Sequence, residues 1–159
     1  MKKIVLIVGN SSSGKTTLAK DLSSLDSLTH LDLDTVAWSS SSPPTRKDKS
    51  ESMALIDSFI QSHQRSVIEG CYGDLIEMLL PYAGELIFLD TDIKRCIQNA
   101  KSRPFEPHKY ESKETQDKNL DMLIEWISSY ETREDSLSRK YHERVFNEYS
   151  GLKRRIKTE

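Results

Sequence analysis

The chain has 159 residues, of which 36% are hydrophobic and 30% charged, with a formal net charge of −2. That balance excludes a disordered chain and supports a single domain over residues 1–159. It gives no overall attraction to nucleic acid, and no apolar run approaches the ~18 residues of a membrane span.

The segment Ile4–Val8 is a continuous apolar, β-branched run. It is too short for a signal-peptide core and reads as a strand buried on both faces. A turn of Gly, Asn and Ser follows over Gly9–Gly14, and a helix is predicted from Lys15 to about Leu25. Thr29–Leu33 reads as a second strand, Ser39–Pro44 as a loop, and Glu51–Gln61 as a helix with Met53, Leu55, Ile56, Phe59 and Ile60 on one stripe. A third strand is predicted at Ser66–Glu69, a helix at Asp74–Leu80 stopping at Pro81, a fourth strand at Glu85–Leu89 and a helix at Thr91–Ser102. Prolines and charges mark Arg103–Lys113 as a mobile loop. Two more helices are predicted, Glu114–Glu131 and Glu134–Tyr149, with Gly151 as a stop and an edge strand at 153–157. The basic residues Lys153, Arg154, Arg155 and Lys157 otherwise read as a solvated tail.

Strands alternating with helices predict right-handed βαβ units, hence an α/β fold of three layers with a parallel sheet of about five strands. Such sheets bind ligands beyond the carboxyl ends of their strands. The polar residues that follow each strand are therefore the candidates: Gly9–Thr16, Asp32 and Asp34, Glu69–Tyr72, and Asp90–Asp92.

Gly9-Asn10-Ser11-Ser12-Ser13-Gly14-Lys15-Thr16 matches G-x-x-x-x-G-K-[ST] between a strand and a helix. Glycines let successive N–H groups point into one concavity at the positive end of the helix, which suits the phosphates of a nucleotide. Lys15 adds a charge near the β- and γ-phosphates, and the Thr16 hydroxyl suits Mg²⁺. The expected cofactors are ATP and Mg²⁺, with Gly9, Asn10, Ser11, Ser12, Ser13, Gly14, Lys15, Thr16 and Thr17 as the nucleotide-binding set.

A GTPase is disfavoured because no Asn-Lys-x-Asp segment is present, and a motor because the third strand ends in Glu69-Gly70 rather than Asp-Glu. The motifs Gly9–Thr16, Asp32-Leu33-Asp34, Val67-Ile68-Glu69-Gly70, Ile87-Phe88-Leu89-Asp90 and Arg103-Pro104 resemble those of P-loop kinases of the nucleoside monophosphate and shikimate kinase branch. Among these the chain is most similar to small bacterial adenylate-kinase-related and shikimate-kinase-like proteins. The resemblance implies a P-loop NTPase fold with a mobile lid at about 102–113, and phosphate transfer from ATP to a small acceptor. It implies Asp32 near the metal shell, Asp34 near the acceptor, and Arg103 as a lid arginine reaching the phosphates. Gly70-Cys71-Tyr72-Gly73 stands where shikimate kinases carry three glycines, and residues 45–63 lack their Phe-Arg pair, which leaves the acceptor open.

Asp32 and Asp34 lie two apart at a strand end, so strand geometry puts both on one face. Asp34 is assigned as the acceptor-orienting base, Lys15 and Arg103 as catalytic cations, and Thr16, Asp32 and Glu69 as the metal set. Glu69 has a second reading, a salt bridge or helix cap. The acceptor set is Asp34, Trp38, Tyr72 and Arg133. Trp38 reads equally as core, and Arg133 equally as an ion-pair partner of Glu131 or Asp135. Trp126 is expected in the core. His108 and Lys109 could assist Arg103, with an exposed charged loop as the other reading, and His30 and His63 receive no role. The expected partner is a small-molecule acceptor, with neither membrane nor nucleic acid, for a monomer or weak homodimer. Two well-separated cysteines, Cys71 and Cys96, point to a reduced, cytoplasmic setting. The competing class is a regulatory module in which ATP binding moves the lid for a partner to read.

Overall fold

A computed structural model describes residues 2–41 and 44–158. Ser42 and Pro43, within the loop expected at 39–44, lie outside the described residues. The strands β1 (Lys3–Gly9), β2 (Thr29–Asp32), β3 (Arg65–Gly70), β4 (Glu85–Thr91) and β5 (Leu152–Thr158) form one sheet in the order β2-β3-β1-β4-β5. Every pairing is parallel.

The apolar run of β1 feeds both faces of the sheet. Ile4, Leu6 and Val8 join one core cluster, and Val5 and Ile7 the other. The first cluster is covered by Ile56 and Ile60 of α3 (Lys49–Ser62), by Leu75, Ile76 and Leu79 of α4 (Gly73–Leu79), and by Val145 of α8 (Arg139–Glu148). The second is covered by Leu18, Ala19 and Leu22 of α1 (Lys15–Asp26). A satellite cluster of Cys96, Ala100 and Ile127 joins α5 (Ile93–Lys101) to α7 (Leu120–Ser128). Three layers with helices on both faces are what continuous apolar strands require.

The helix expected at 114–131 is broken. A polar α6 (Lys113–Lys118), with no buried residue, ends at Asn119, and α7 begins at Leu120. The break lets the apolar stripe of α7 turn onto α5 independently of the polar turn before it. The helix expected from Glu134 begins five residues later, at Arg139. Asp135 accepts bonds from the Leu137 amide (3.0 Å) and from Arg133, which holds the backbone in a turn. Ser138 then caps α8 by accepting from the Tyr141 amide at 3.0 Å. A short helix that the sequence pattern does not signal, α2 (Asp34–Ala37), follows β2 directly. After it, Trp38 forms an isolated antiparallel bridge with Arg46.

Candidate active site

Beyond the carboxyl ends of β1–β4 lies a cleft of about 860 Å³, a size ordinary for a nucleotide or cofactor site. Its lining includes Ser11–Leu18 and Lys20 of the first loop and helix, Asp32, Asp34, Glu69, and the segment Ser102–Lys109. A second hollow, beside Tyr110 and Leu120, measures about 50 Å³ and is far too small for a nucleotide.

The phosphate end is built by backbone. Gly14 has φ 100°, a left-handed conformation that needs glycine, and Ser12 also lies there at φ 62°. These turns let the loop close on itself ahead of α1, with the Ser11 amide donating to Asn10 Oδ1 (2.8 Å) and the Ser13 amide to the Asn10 carbonyl (3.2 Å). Side chains from elsewhere take the outward carbonyls. Thr91 Oγ1 donates to the Ser13 carbonyl (2.8 Å), and Asn99 Nδ2 to that of Ser12 (2.9 Å). Asn10 Nδ2 donates to the Ile127 carbonyl at 3.2 Å, tying the loop to α7. Lys15 is 8% exposed and lays its ammonium across the loop, donating to the Asn10 carbonyl at 2.5 Å.

Beside the loop, Glu69 is 2% exposed. Its Oε2 accepts from Thr16 Oγ1 and from His30 Nε2, each at 2.9 Å. A buried carboxylate needs such partners. Glu69 lines the cleft and has His30, a residue given no role from sequence, as a hydrogen-bond partner. A hydroxyl and carboxylates are hard oxygen donors suited to Mg²⁺, which completes its shell with phosphate and water. The described residues contain no group of three or more His, Cys, Asp or Glu side chains placed to hold a metal ion by themselves.

The other end of the cleft holds Asp32 and Asp34. Strand alternation does not align them as expected, because β2 ends at Asp32 and Asp34 already belongs to α2. A turn joins them instead, with the Asp34 amide donating to Asp32 Oδ1 at 2.9 Å. Tyr72 OH donates to Asp34 Oδ1 at 2.5 Å and accepts from Trp38 Nε1 at 2.7 Å. The Arg46 guanidinium lies 4.7 Å over the Tyr72 ring and pairs with Asp74 at 3.3 Å. Lys109 reaches down from the 102–112 segment to Asp34 Oδ2 (2.7 Å) and Asp32 Oδ2 (3.4 Å).

These contacts set the charge states. Burial raises the Asp32 carboxyl above its usual range, helped by the negative charges of Asp34 and Glu69. Burial also pushes Asp34 upward, but the Lys109 charge and the bonds from Lys109 and Tyr72 outweigh it and hold Asp34 below its usual range. Desolvation pulls the Lys109 ammonium down, and the Asp34 and Asp32 charges more than reverse this. Cys71, also lining the cleft, is pushed up to about 12 by burial and stays a neutral thiol.

Arg103 Nη2 donates to Ser12 Oγ at 2.5 Å, and Nη1 to Glu106 Oε1 at 3.1 Å, so the arginine expected on a lid touches the Gly9–Thr16 loop. Arg133 lies outside the cleft lining. It stacks 3.7 Å over Trp126 and pairs with Asp135 at 2.5 Å, the second of its two expected readings. Trp126, expected in the core, is only partly buried beneath it.

No family model and no curated protein matches the chain. Solved structures do. A sugar kinase from a Janibacter species superposes with a TM-score of 0.53 at 13% identity, covering 99% of this chain and 86% of that one. A gluconokinase from Sinorhizobium meliloti superposes with a TM-score of 0.55 at 14% identity, covering 97% and 82%. At such identities the likeness speaks for architecture alone: the chain shares with these two structures an α/β fold built on a five-stranded parallel sheet flanked by helices.

Proposed function

We propose that the protein is an enzyme, a phosphotransferase that moves the γ-phosphate of Mg-ATP to a small hydroxylated metabolite or nucleotide. The observation that carries this reading is a single cleft with a phosphate loop at one end and an ionised carboxylate, Asp34, at the other. One segment contributes a cation to each end: Arg103 touches Ser12, and Lys109 touches Asp34. A module that only bound nucleotide would have no use for a carboxylate placed across the cleft from the phosphates.

In this reading the loop amides and Lys15 hold the β- and γ-phosphates, and Arg103 meets the charge that grows on the transferring group. Thr16, Asp32 and Glu69 would hold Mg²⁺, which when bound would supply positive charge for the phosphate oxygens. Asp34 accepts the proton of the acceptor hydroxyl. As that O–H bond breaks, the acceptor oxygen bonds to the γ-phosphorus, the bond from the γ-phosphorus to the β,γ-bridging oxygen breaks, and ADP leaves. A carboxylate held below its usual range is a weak base, which suffices because phosphoryl transfer depends mainly on alignment and charge. Trp38 and Tyr72 fix the Asp34 carboxylate. Two free, well-separated cysteines suit a reduced, cytoplasmic setting.

The test has two arms. Calorimetric titration with Mg-ATP should show binding that Lys15→Ala weakens by at least about ten-fold, the scale of one lost charge-assisted contact. ADP formation should be stimulated by a member of a panel of sugars, sugar acids and nucleoside monophosphates, and Asp34→Asn should abolish that stimulation while Mg-ATP still binds. Undiminished affinity in Lys15→Ala would remove the nucleotide site. Stimulation confined to a protein or nucleic acid would replace the metabolite reading.

A further inference from the structure

Asp34 has two carboxylate oxygens, and both are engaged. Oδ1 accepts from Tyr72, whose ring is 3% exposed and whose hydroxyl is held in turn by Trp38. Oδ2 is paired with the Lys109 ammonium at 2.7 Å, and Lys109 also lies 3.4 Å from Asp32 and 3.4 Å from Glu106. An acceptor hydroxyl needs one of these oxygens. Tyr72 is packed in the main core cluster and cannot withdraw. Lys109 sits at the end of a four-carbon stem on an irregular segment, so it is the group that gives way.

The segment's other attachments are few. Arg103 reaches Ser12 and Glu106, and Gln116 of α6 accepts from the Glu106 amide (2.9 Å) and donates to the Pro104 carbonyl (3.0 Å). Gln116 ties the segment to α6, and Arg103 ties it to the phosphate loop. Lys109 is the cation that ties it across the cleft to the carboxylate pair.

We propose that Lys109 is a gate residue, whose ion pair with Asp34 holds the 102–112 segment down over the acceptor end of the cleft and is displaced when an acceptor hydroxyl takes Asp34 Oδ2. The catalytic meaning of the gate rests on the phosphotransferase reading above, whereas the contact itself does not. Release of the segment and access to the base are thereby one event: an acceptor that lacks a hydroxyl able to replace the ammonium leaves the base covered. Glu106 gives the released ammonium a second carboxylate on its own segment.

Hydrogen exchange in the protein without ligand tests this. The reporters are the amides of Lys109 and Tyr110, which donate to the Glu106 carbonyl at 3.0 Å, and of Glu106 itself. Lys109→Met should speed their exchange by roughly ten-fold, the size expected when a local opening loses one partly buried ion pair. Asp34→Asn should speed exchange too, by less because Lys109 keeps Asp32 and Glu106, and the double variant should be no faster than Lys109→Met alone, because that substitution already removes the Asp34 contact. Lys109→Arg should restore protection. A merely structural role for the lysine stem would leave Asp34→Asn protected, and additive effects or unchanged exchange in Lys109→Met would overturn the gate. If the wild-type protein fails to bind Mg-ATP in calorimetry, the functional reading falls, and the exchange result still reports on the Lys109–Asp34 contact.

Discussion

His142 shows how one side chain far from the cleft sets its geometry. It is fully buried. Its Nε2 lies 2.7 Å from the Cys71 carbonyl and its Nδ1 2.8 Å from Tyr130 OH. A carbonyl only accepts, so Nε2 carries the proton and Nδ1 accepts from the tyrosine. The imidazole thereby pins the turn that presents Tyr72 to Asp34. Burial pulls its pKa from 6.5 to about 4. The folded protein therefore resists a proton that the unfolded chain takes up below pH 6.5. The contribution is complete above that value and is lost as pH falls toward 4. Between pH 7.5 and 4.5 the loss is about 2–3 kcal/mol at ~1.4 kcal/mol per unit. Denaturant unfolding at the two pH values should show this loss beyond that of His142→Gln, which keeps a donor and an acceptor but cannot titrate there. Equal losses in both proteins would show that other groups carry the pH dependence. No sequence pattern reveals His142, because its two partners lie 12 and 71 positions away. The same is true of Lys109 on Asp34 and of His30 on Glu69. The turn Gly9–Gly14 between β1 and α1 was legible because its residues are contiguous.

Among the elements, strands were read more reliably than helix ends. A parallel strand covered on both faces tends to be continuously apolar, and β1 and β4 carry that run, whereas β3 keeps only Val67 and Ile68 of it. Helix ends depend on side chains that cap or turn the backbone locally, as Asp135 and Ser138 do ahead of α8. That turn has a tight counterpart in α4. The Gly73 amide donates to the Ser136 carbonyl at 3.0 Å, and a Cβ on Gly73 would meet that oxygen and Tyr141 Cδ1, each at 2.5 Å. Two backbones and an aromatic ring cannot all yield without moving α4 from α8. Gly73→Ala should therefore cost about 1–3 kcal/mol, the range for overpacking, seen as a lower denaturation midpoint at unchanged slope. A midpoint equal to that of wild type would mean that the 134–138 turn moves aside freely.

For the whole molecule, the question is what closes the sheet on the side of its last strand. β5 pairs with β4 from Glu85↔Leu152 to Thr91↔Thr158, and its far end supplies Ile156 and Thr158 to the cleft wall. Its residues are mostly polar and half-exposed, so apolar burial contributes little to holding it. Asp90 supplies what burial does not. Its carboxylate is 4% exposed and accepts from Arg155 of β5 at 2.7 Å and from Arg139 of α8 at 2.9 Å. One buried charge thus gathers β4, β5 and α8. The two arginines are 30% and 29% exposed, so on losing Asp90 they turn to water rather than remain buried and unpaired. Removing the carboxylate should then cost less than the ~3–5 kcal/mol of a fully buried pair, about 1–3 kcal/mol. Arg155→Met should cost less again, because Arg139 still satisfies Asp90. Asp90→Ala and Arg155→Met followed by thermal unfolding and by hydrogen exchange along 152–158 should rank in that order, with β5 loosening before the remaining strands. Uniform loss of protection across all five strands would instead show that β5 is part of the cooperative core and that the arginine pairs only decorate its edge.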